Sequence, residues 1–196
     1  MPNESVNRAV RLIAERSIDK ASQSFSKMIK LGAAIDLKRI EMVDIADISA
    51  DLGGVPQEVI GSMVDLVGDA PFKFLFYVET QGAFSLTDLL LKRAPGTTVF
   101  IDEFVTSTIQ EIGNILASAV ANTFANDFQI DLRPTAPMVF NDFAATLFEG
   151  LIFEAAQEDN RVLMIECKFE VRKLNLPCQL FVIPMPGSYK ILEFSG

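Results

Sequence analysis

Apolar positions along this chain fall into two rhythms. Near the N-terminus, Val6, Val10, Ile13, Phe25 and Met28 form a broken stripe at helical spacing. That stripe predicts a long helix from Asn3 to about Lys30, with Gly32 as its stop. Three strand-like runs follow: AIDLKRIEMVDIADI, VIGSMVDLVG and PFKFLFYVE. Gly53-Gly54 and Gly68-Asp69 supply turn signals between them. SLTDLLLKR, Ser85 to Arg93, predicts a short helix capped by Ser85 and ended by Ala94-Pro95-Gly96. A second long helix is expected over Asp102 to Asn126, then strand or extended chain over 128–140. Asn141 to Gln157 predicts another helix with Asn141 as its cap, and two strands close the chain at about 161–172 and 176–184.

This order repeats. FSKMIKLGAAIDLKRIEMV parallels ANTFANDFQIDLRPTAPMV, and both carry Ile-Asp-Leu followed by a basic residue, at 35–38 and 130–133. The expectation is two related halves, about 1–96 and 97–196, folded together as a single domain over 1–196.

Composition narrows the chemistry. Apolar residues make up 49% of 196 residues, enough for a sizeable core. The apolar runs are strand-sized and none approaches the ~18 residues of a membrane span. The N-terminus is polar and lacks the apolar region of a signal peptide, so a cytoplasmic protein is expected. The net charge of −9 disfavours nucleic acid and anionic membrane as partners, although it also serves solubility. Cys167 and Cys178 lie in apolar runs and read as buried thiols, with a cross-strand disulfide as the alternative. There is no histidine, which removes Ser-His-Asp, Cys-His and the usual zinc sites. Any reaction here must use carboxylates, amides, hydroxyls or lysine.

On a helical wheel of the second long helix, Ser107, Glu111, Asn114 and Ser118 fall on one stripe. Ile109, Ile112, Leu116, Val120 and Thr123 fall on the opposite side and are expected to face the core. Gly113, Ala117 and Ala121 flank the polar stripe, as if to let another backbone come close. From Ala94 to Leu132 there is no Lys or Arg, whereas an ordinary solvated helix is dressed with both signs of charge. Taken singly, Glu111 or Asn114 also fits such a solvated face.

The spacing is more specific. Ser107, three residues, Glu111, two residues, Asn114, then twenty-two residues to Pro137: this resembles the signature of the CheC/CheX/FliY superfamily of chemotaxis phosphatases. The likeness extends over about Thr98 to Phe194 and is weaker in the first half. It implies an α+β fold of two pseudo-symmetric halves, each with a long helix packed on a mainly antiparallel sheet. It also implies hydrolysis of the aspartyl phosphate on a CheY-type response regulator, with Glu111 and Asn114 catalytic and Ser107 and Pro137 supporting. Asn114 would orient the attacking water and Glu111 would anchor the regulator. The metal, Mg2+, would belong to the regulator, so no cofactor or metal site is expected in this chain.

The first helix departs from the signature. Glu15 can be aligned with Glu111, but Ile18 then replaces the amide; alternatively Leu12 takes the acidic position and Glu15 the amide one. Glu4 and Asn7 have the right spacing about two turns too early. One functional site, in the second half, is expected. The resemblance leaves a second reading, a non-catalytic adaptor that binds CheD or a response regulator. A small-molecule-binding domain built on sixteen Phe residues is a third. A FliY form would be expected to carry an added C-terminal switch domain, and the duplicated length leads to the expectation of the CheC rather than the CheX form.

Overall fold

The computed structural model describes residues 8–30, 32–44, 58–143, 146, 161–171 and 176–188. Within them lie helix α1 (Arg8–Ile29), strands β1 (Ala33–Asp44), β2 (Glu58–Gly68) and β3 (Phe72–Glu79), and helices α2 (Thr80–Leu90) and α3 (Glu103–Phe128). Strands β4 (Leu132–Pro134), β5 (Met138–Phe143), β6 (Arg161–Val171) and β7 (Leu176–Pro184) complete the order. The Gly53-Gly54 turn, Val6 and the Glu4/Asn7 pair lie outside the described residues.

The seven strands form one antiparallel sheet in the order β1-β6-β7-β3-β2-β4, with β5 also pairing β2. The order reads alike from both edges. Exchanging β1 with β4 and β5, β6 with β2, and β7 with β3 leaves it unchanged. The two Ile-Asp-Leu triplets sit accordingly: Ile35–Leu37 in β1 at one edge, and 130–132 running into β4 at the other. The α+β, antiparallel fold class is as expected.

Helices α1 and α3 pack against each other and across one face of this sheet. Ile13, Ile18 and Phe25 from α1 and Ile109, Ile112, Leu116, Val120 and Phe124 from α3 meet Ile60, Val64, Phe72, Phe74, Phe76 and Val182 of the sheet in one continuous core. Such burial is the dominant favourable term in folding. Strand β3 is buried on both faces. Its alternate residues Leu75 and Tyr77 are also buried, and Tyr77 stacks on Phe181 of β7 at 5.9 Å between ring centroids. No helix of the described residues is long and apolar enough to cross a membrane.

Three local expectations need correction, and the reading of Cys178 as a buried thiol holds. Helix α1 closes on Lys30, which takes the left-handed conformation (φ 55°), not on Gly32. Helix α2 begins at Thr80, directly after β3, so Ser85 is interior and its hydroxyl donates to the Gln81 carbonyl at 3.0 Å. That back-bond satisfies the hydroxyl without a cap. Asn141 does not cap a helix: it lies in β5, opposite Ile60 of β2. The pull of the open β2 edge wins over its capping preference, and most of 144–157 lies outside the described residues. Cys178 is a buried free thiol opposite Phe169, while Cys167 is opposite Leu180, so the two cysteines are not direct partners in the ladder.

Candidate active site

Helix α3 is built to hold its register. Asp102 is extended and its Oδ1 accepts from the Val105 amide at 2.9 Å, satisfying one free donor of the first turn. Glu103 places a second carboxylate at the positive end of the helix dipole. At the far end Gln129 takes the left-handed conformation and stops the helix. Between these caps, Val105, Ile109, Ile112, Leu116 and Val120 are fully buried, which fixes the rotation of the helix about its axis. Thr123 is only half-buried, with its hydroxyl on the Ala119 carbonyl; Phe124 is the core residue of that turn.

With the rotation fixed, Ser107, Glu111 and Asn114 are all exposed and Ser118 is half-buried. Their spacing of four and three residues sets them one above another on the solvent side. The structure therefore brings Ser107, Glu111 and Asn114 together as a stripe. Neither the Glu111 nor the Asn114 side chain makes a hydrogen bond or ion pair to another described residue. Both are free to meet something from outside.

The small residues beside the stripe do let another backbone come close, on the buried side of the helix. Gly113, Ala117 and Ala121 are buried, not open to a partner. The backbone that comes close is the chain's own. A Cβ added at Gly113 would lie 1.7 Å from Ser62 Oγ and 2.8 Å from Ser62 Cβ on β2. The helix thus rests directly on the sheet at the residue before Asn114. Pro137 is half-buried just ahead of β5, whose Met138 and Val139 pair with Met63 and Ser62. Ser62 links the two: it lies under Gly113 on one side and beside Val139 on the other. Pro137 therefore opens the strand next to the helix seat and carries no reacting group.

Periodicity overlooked a neighbouring feature. Phe104 stands three residues before Ser107 on the same stripe, and Val99, Phe100 and Ile101 precede it. All four are exposed, Val99 at 68% and Phe100 at 66%. The loop that displays them is tied down by Asp88 of α2, which is buried. Asp88 accepts from the Thr98 hydroxyl at 2.6 Å, the Thr98 amide at 3.0 Å and the Thr97 amide at 2.9 Å. The Thr98 hydroxyl, helped by these amides and opposed by burial, holds the Asp88 carboxyl below its usual range. Arg93 lies over the Phe104 ring, 4.7 Å from its centroid, and donates to Thr98 Oγ1 at 3.4 Å. The available signal was an acid inside the apolar run SLTDLLL, ten residues before a threonine.

On α1 the comparable positions differ. Ile18 is 2% exposed and belongs to the core, so the register that matches Glu15 to Glu111 buries its second member. The alternative register places Leu12 and Glu15 at the two positions, and both are exposed. Glu15 also lines a surface depression of about 400 Å³ with Asp19, Asp36 and Lys38. Among the described residues no group of three or more His, Cys, Asp or Glu is placed to hold a metal.

Residues 104–140 match a family model, and all four motif positions fall inside that segment. The match is to the CheC-like family. Solved structures agree on the fold. FliY from Thermotoga maritima superposes with a TM-score of 0.74 at 13% identity, covering 98% of this chain and 97% of that one. The FliM middle domain from H. pylori gives 0.68 at 12%, covering 95% of each chain. The chemotaxis protein CheX from Desulfovibrio desulfuricans gives 0.60 at 9%, covering 88% of this chain and 99% of that one. The resemblance to the CheC/CheX/FliY superfamily is thus borne out by motif segment and fold together.

Proposed function

We propose that this CheC-like chain is a phosphatase for the aspartyl phosphate of a CheY-type response regulator. The observation that carries the reading is the exposed Glu111–Asn114 pair, its side chains unengaged by any other described residue, on a helix whose rotation the core fixes. The reaction needs a water in line with phosphorus. The water oxygen bonds to phosphorus, the phosphorus–oxygen bond to the aspartyl carboxyl breaks, and carboxylate and inorganic phosphate leave with the water's protons on the phosphate. Asn114 can orient that water through its carboxamide without adding negative charge. Glu111 beside an anionic phosphoryl is a poor water-orienting group. It serves better as an anchor for a cation on the regulator, through a charge-assisted bond. Mg2+ is expected on the regulator.

The test follows the decay of a CheY-type receiver phosphorylated with acetyl phosphate. The wild type should accelerate decay, Asn114→Ala should lose about 10²-fold of that acceleration with little change in KM, and Glu111→Ala should act largely through KM. Full acceleration by a folded Asn114→Ala protein would refute the role of Asn114.

The second reading is a non-catalytic adaptor that binds a regulator or CheD. It is favoured by the FliM middle domain sharing this fold, a domain also solved in complex with FliG. Regulator or CheD binding that survives the Glu111→Ala, Asn114→Ala double substitution, with no phosphatase activity in the wild type, would support it.

A further inference from the structure

Three consecutive apolar residues in water, on a loop held by a buried carboxylate, call for a partner. Val99 and Phe100 are two-thirds exposed, Phe104 is 43% exposed and Ile101 is 37% exposed. Folding alone gives no reason to fix them outward, and a rigid exposed apolar patch rimmed by polar groups marks an interaction surface. The rim here is acidic. Asp102 and Glu103 lie within the patch, Glu111 lies two turns on, and no Lys or Arg occurs from Ala94 to Leu132. Arg93, which touches the patch, is committed to Phe104 and Thr98, and the exposed Lys92 lies beyond it in the chain. The occupant must therefore offer an apolar centre with a basic rim. Phe104 continues the stripe of Ser107, Glu111 and Asn114, so whatever covers the patch also reaches the pair.

We propose that Val99, Phe100, Ile101 and Phe104 form the docking surface for the receiver domain, with affinity supplied by the patch and chemistry by Asn114. This rests on the phosphatase reading for the identity of the partner. It divides labour along one helix face: apolar contact at the N-terminal end, an acidic anchor at Glu111, and water placement at Asn114. The patch touches neither water nor phosphoryl, so it should govern KM and leave kcat alone.

The test pairs V99S/F100S with wild type against the same phosphorylated receiver, after circular dichroism shows equal melting. Val99 and Phe100 are surface residues, so the fold should survive. The expected result is a KM raised at least tenfold with kcat within twofold. Phe100→Lys should weaken docking more than Phe100→Glu, because the partner's rim is basic. Equal KM for wild type and V99S/F100S would overturn the docking surface while leaving the phosphatase reading intact. If wild type fails to accelerate decay, the phosphatase reading falls, and calorimetry with the beryllofluoride-loaded receiver decides the patch. Binding at least tenfold weaker in V99S/F100S upholds it, and no binding by wild type overturns it. A wild-type dimer that V99S/F100S converts to monomer in sedimentation would assign the patch to self-association and overturn it too.

Discussion

Gly113→Ala tests whether α3 sits on β2 as closely as its small residues require. On an open helix face this substitution stabilises by about 1 kcal/mol, because alanine loses less backbone freedom than glycine. Here the new methyl would lie 1.7 Å from Ser62 Oγ and 2.8 Å from Ser62 Cβ. The hydroxyl can rotate aside. The Cβ cannot, so helix and strand must separate by several tenths of an ångström. Overpacking of that kind costs about 3 kcal/mol, which leaves a net loss of about 2 kcal/mol. In an S62G background the obstacle is gone, and the same substitution should stabilise by about 1 kcal/mol. The coupling between the two sites is then about 3 kcal/mol, readable in a double-mutant cycle from urea unfolding. Ser62→Ala alone should be neutral or stabilising, since its buried hydroxyl has no hydrogen-bond partner among the described residues. Gly113→Ala should also weaken catalysis, because lifting the helix moves its neighbour Asn114 relative to a docked phosphoryl group. A Gly113→Ala protein that gains about 1 kcal/mol, with no coupling to Ser62, would refute the close seat.

Asp88→Asn should remove part of the acid limb of stability. The Asp88 carboxyl is held below its usual range, chiefly by the Thr98 hydroxyl, so its folded charged form is favoured. That contribution is present above the unfolded value of about 3.9 and fades as pH falls through the lower folded value. Melting followed from pH 6 to pH 2 should show this loss in wild type and not in Asp88→Asn. Phe124→Ala should cost about 3–5 kcal/mol in urea unfolding, because its buried ring packs 5.2 Å from Phe72 and 5.6 Å from Phe128. Cys178 should resist a disulfide reagent until the protein unfolds: burial pushes its thiol well above the usual range, and the thiolate is the reacting form. Rapid native-state labelling assigned to Cys178 by mass spectrometry would contradict its burial.

The long helix α3 was legible because its two faces differ sharply, and azimuth follows from spacing alone. What spacing cannot say is which neighbour a face meets. Gly113, Ala117 and Ala121 were rightly singled out as a surface for close approach, yet the approaching backbone is β2 of the same chain. The misplaced caps have other causes. Ser85 and Asn141 have side chains that suit a helix start, but Ser85 instead bonds within α2 and Asn141 joins a ladder with β2. At Asn141 a capping preference of about 1 kcal/mol yields to strand pairing, whereas at Ser85 the helix starts five residues earlier. The exposed loop is not legible in the pattern, because Val99, Phe100 and Ile101 look like core in any reading that equates apolar with buried.

The two long helices show why fold symmetry does not bring chemistry with it. The sheet order is the same from either edge, so α1 and α3 cover related halves of one face. On α3 the exposed pair three residues apart is an acid and an amide. On α1 the alternative register puts Leu12 and Glu15 at those positions. Leu12 offers no acceptor to a partner's cation, and Glu15 would set a carboxylate where a neutral carboxamide is needed beside an anionic phosphoryl. Changing either residue alone does not mend the pair. Leu12→Glu would give two carboxylates on neighbouring turns, which repel each other and the phosphoryl group alike. Shifting the register by three residues fails for a different reason, since Ile18 is buried and its replacement by asparagine would leave an unpaired amide in the core. Only Leu12→Glu together with Glu15→Gln or Glu15→Asn would reproduce the α3 surface without disturbing packing. Both helices leave a pair on the side that the core does not need, and the proposed phosphatase reading assigns the site to α3 because only there is the pair an acid and an amide.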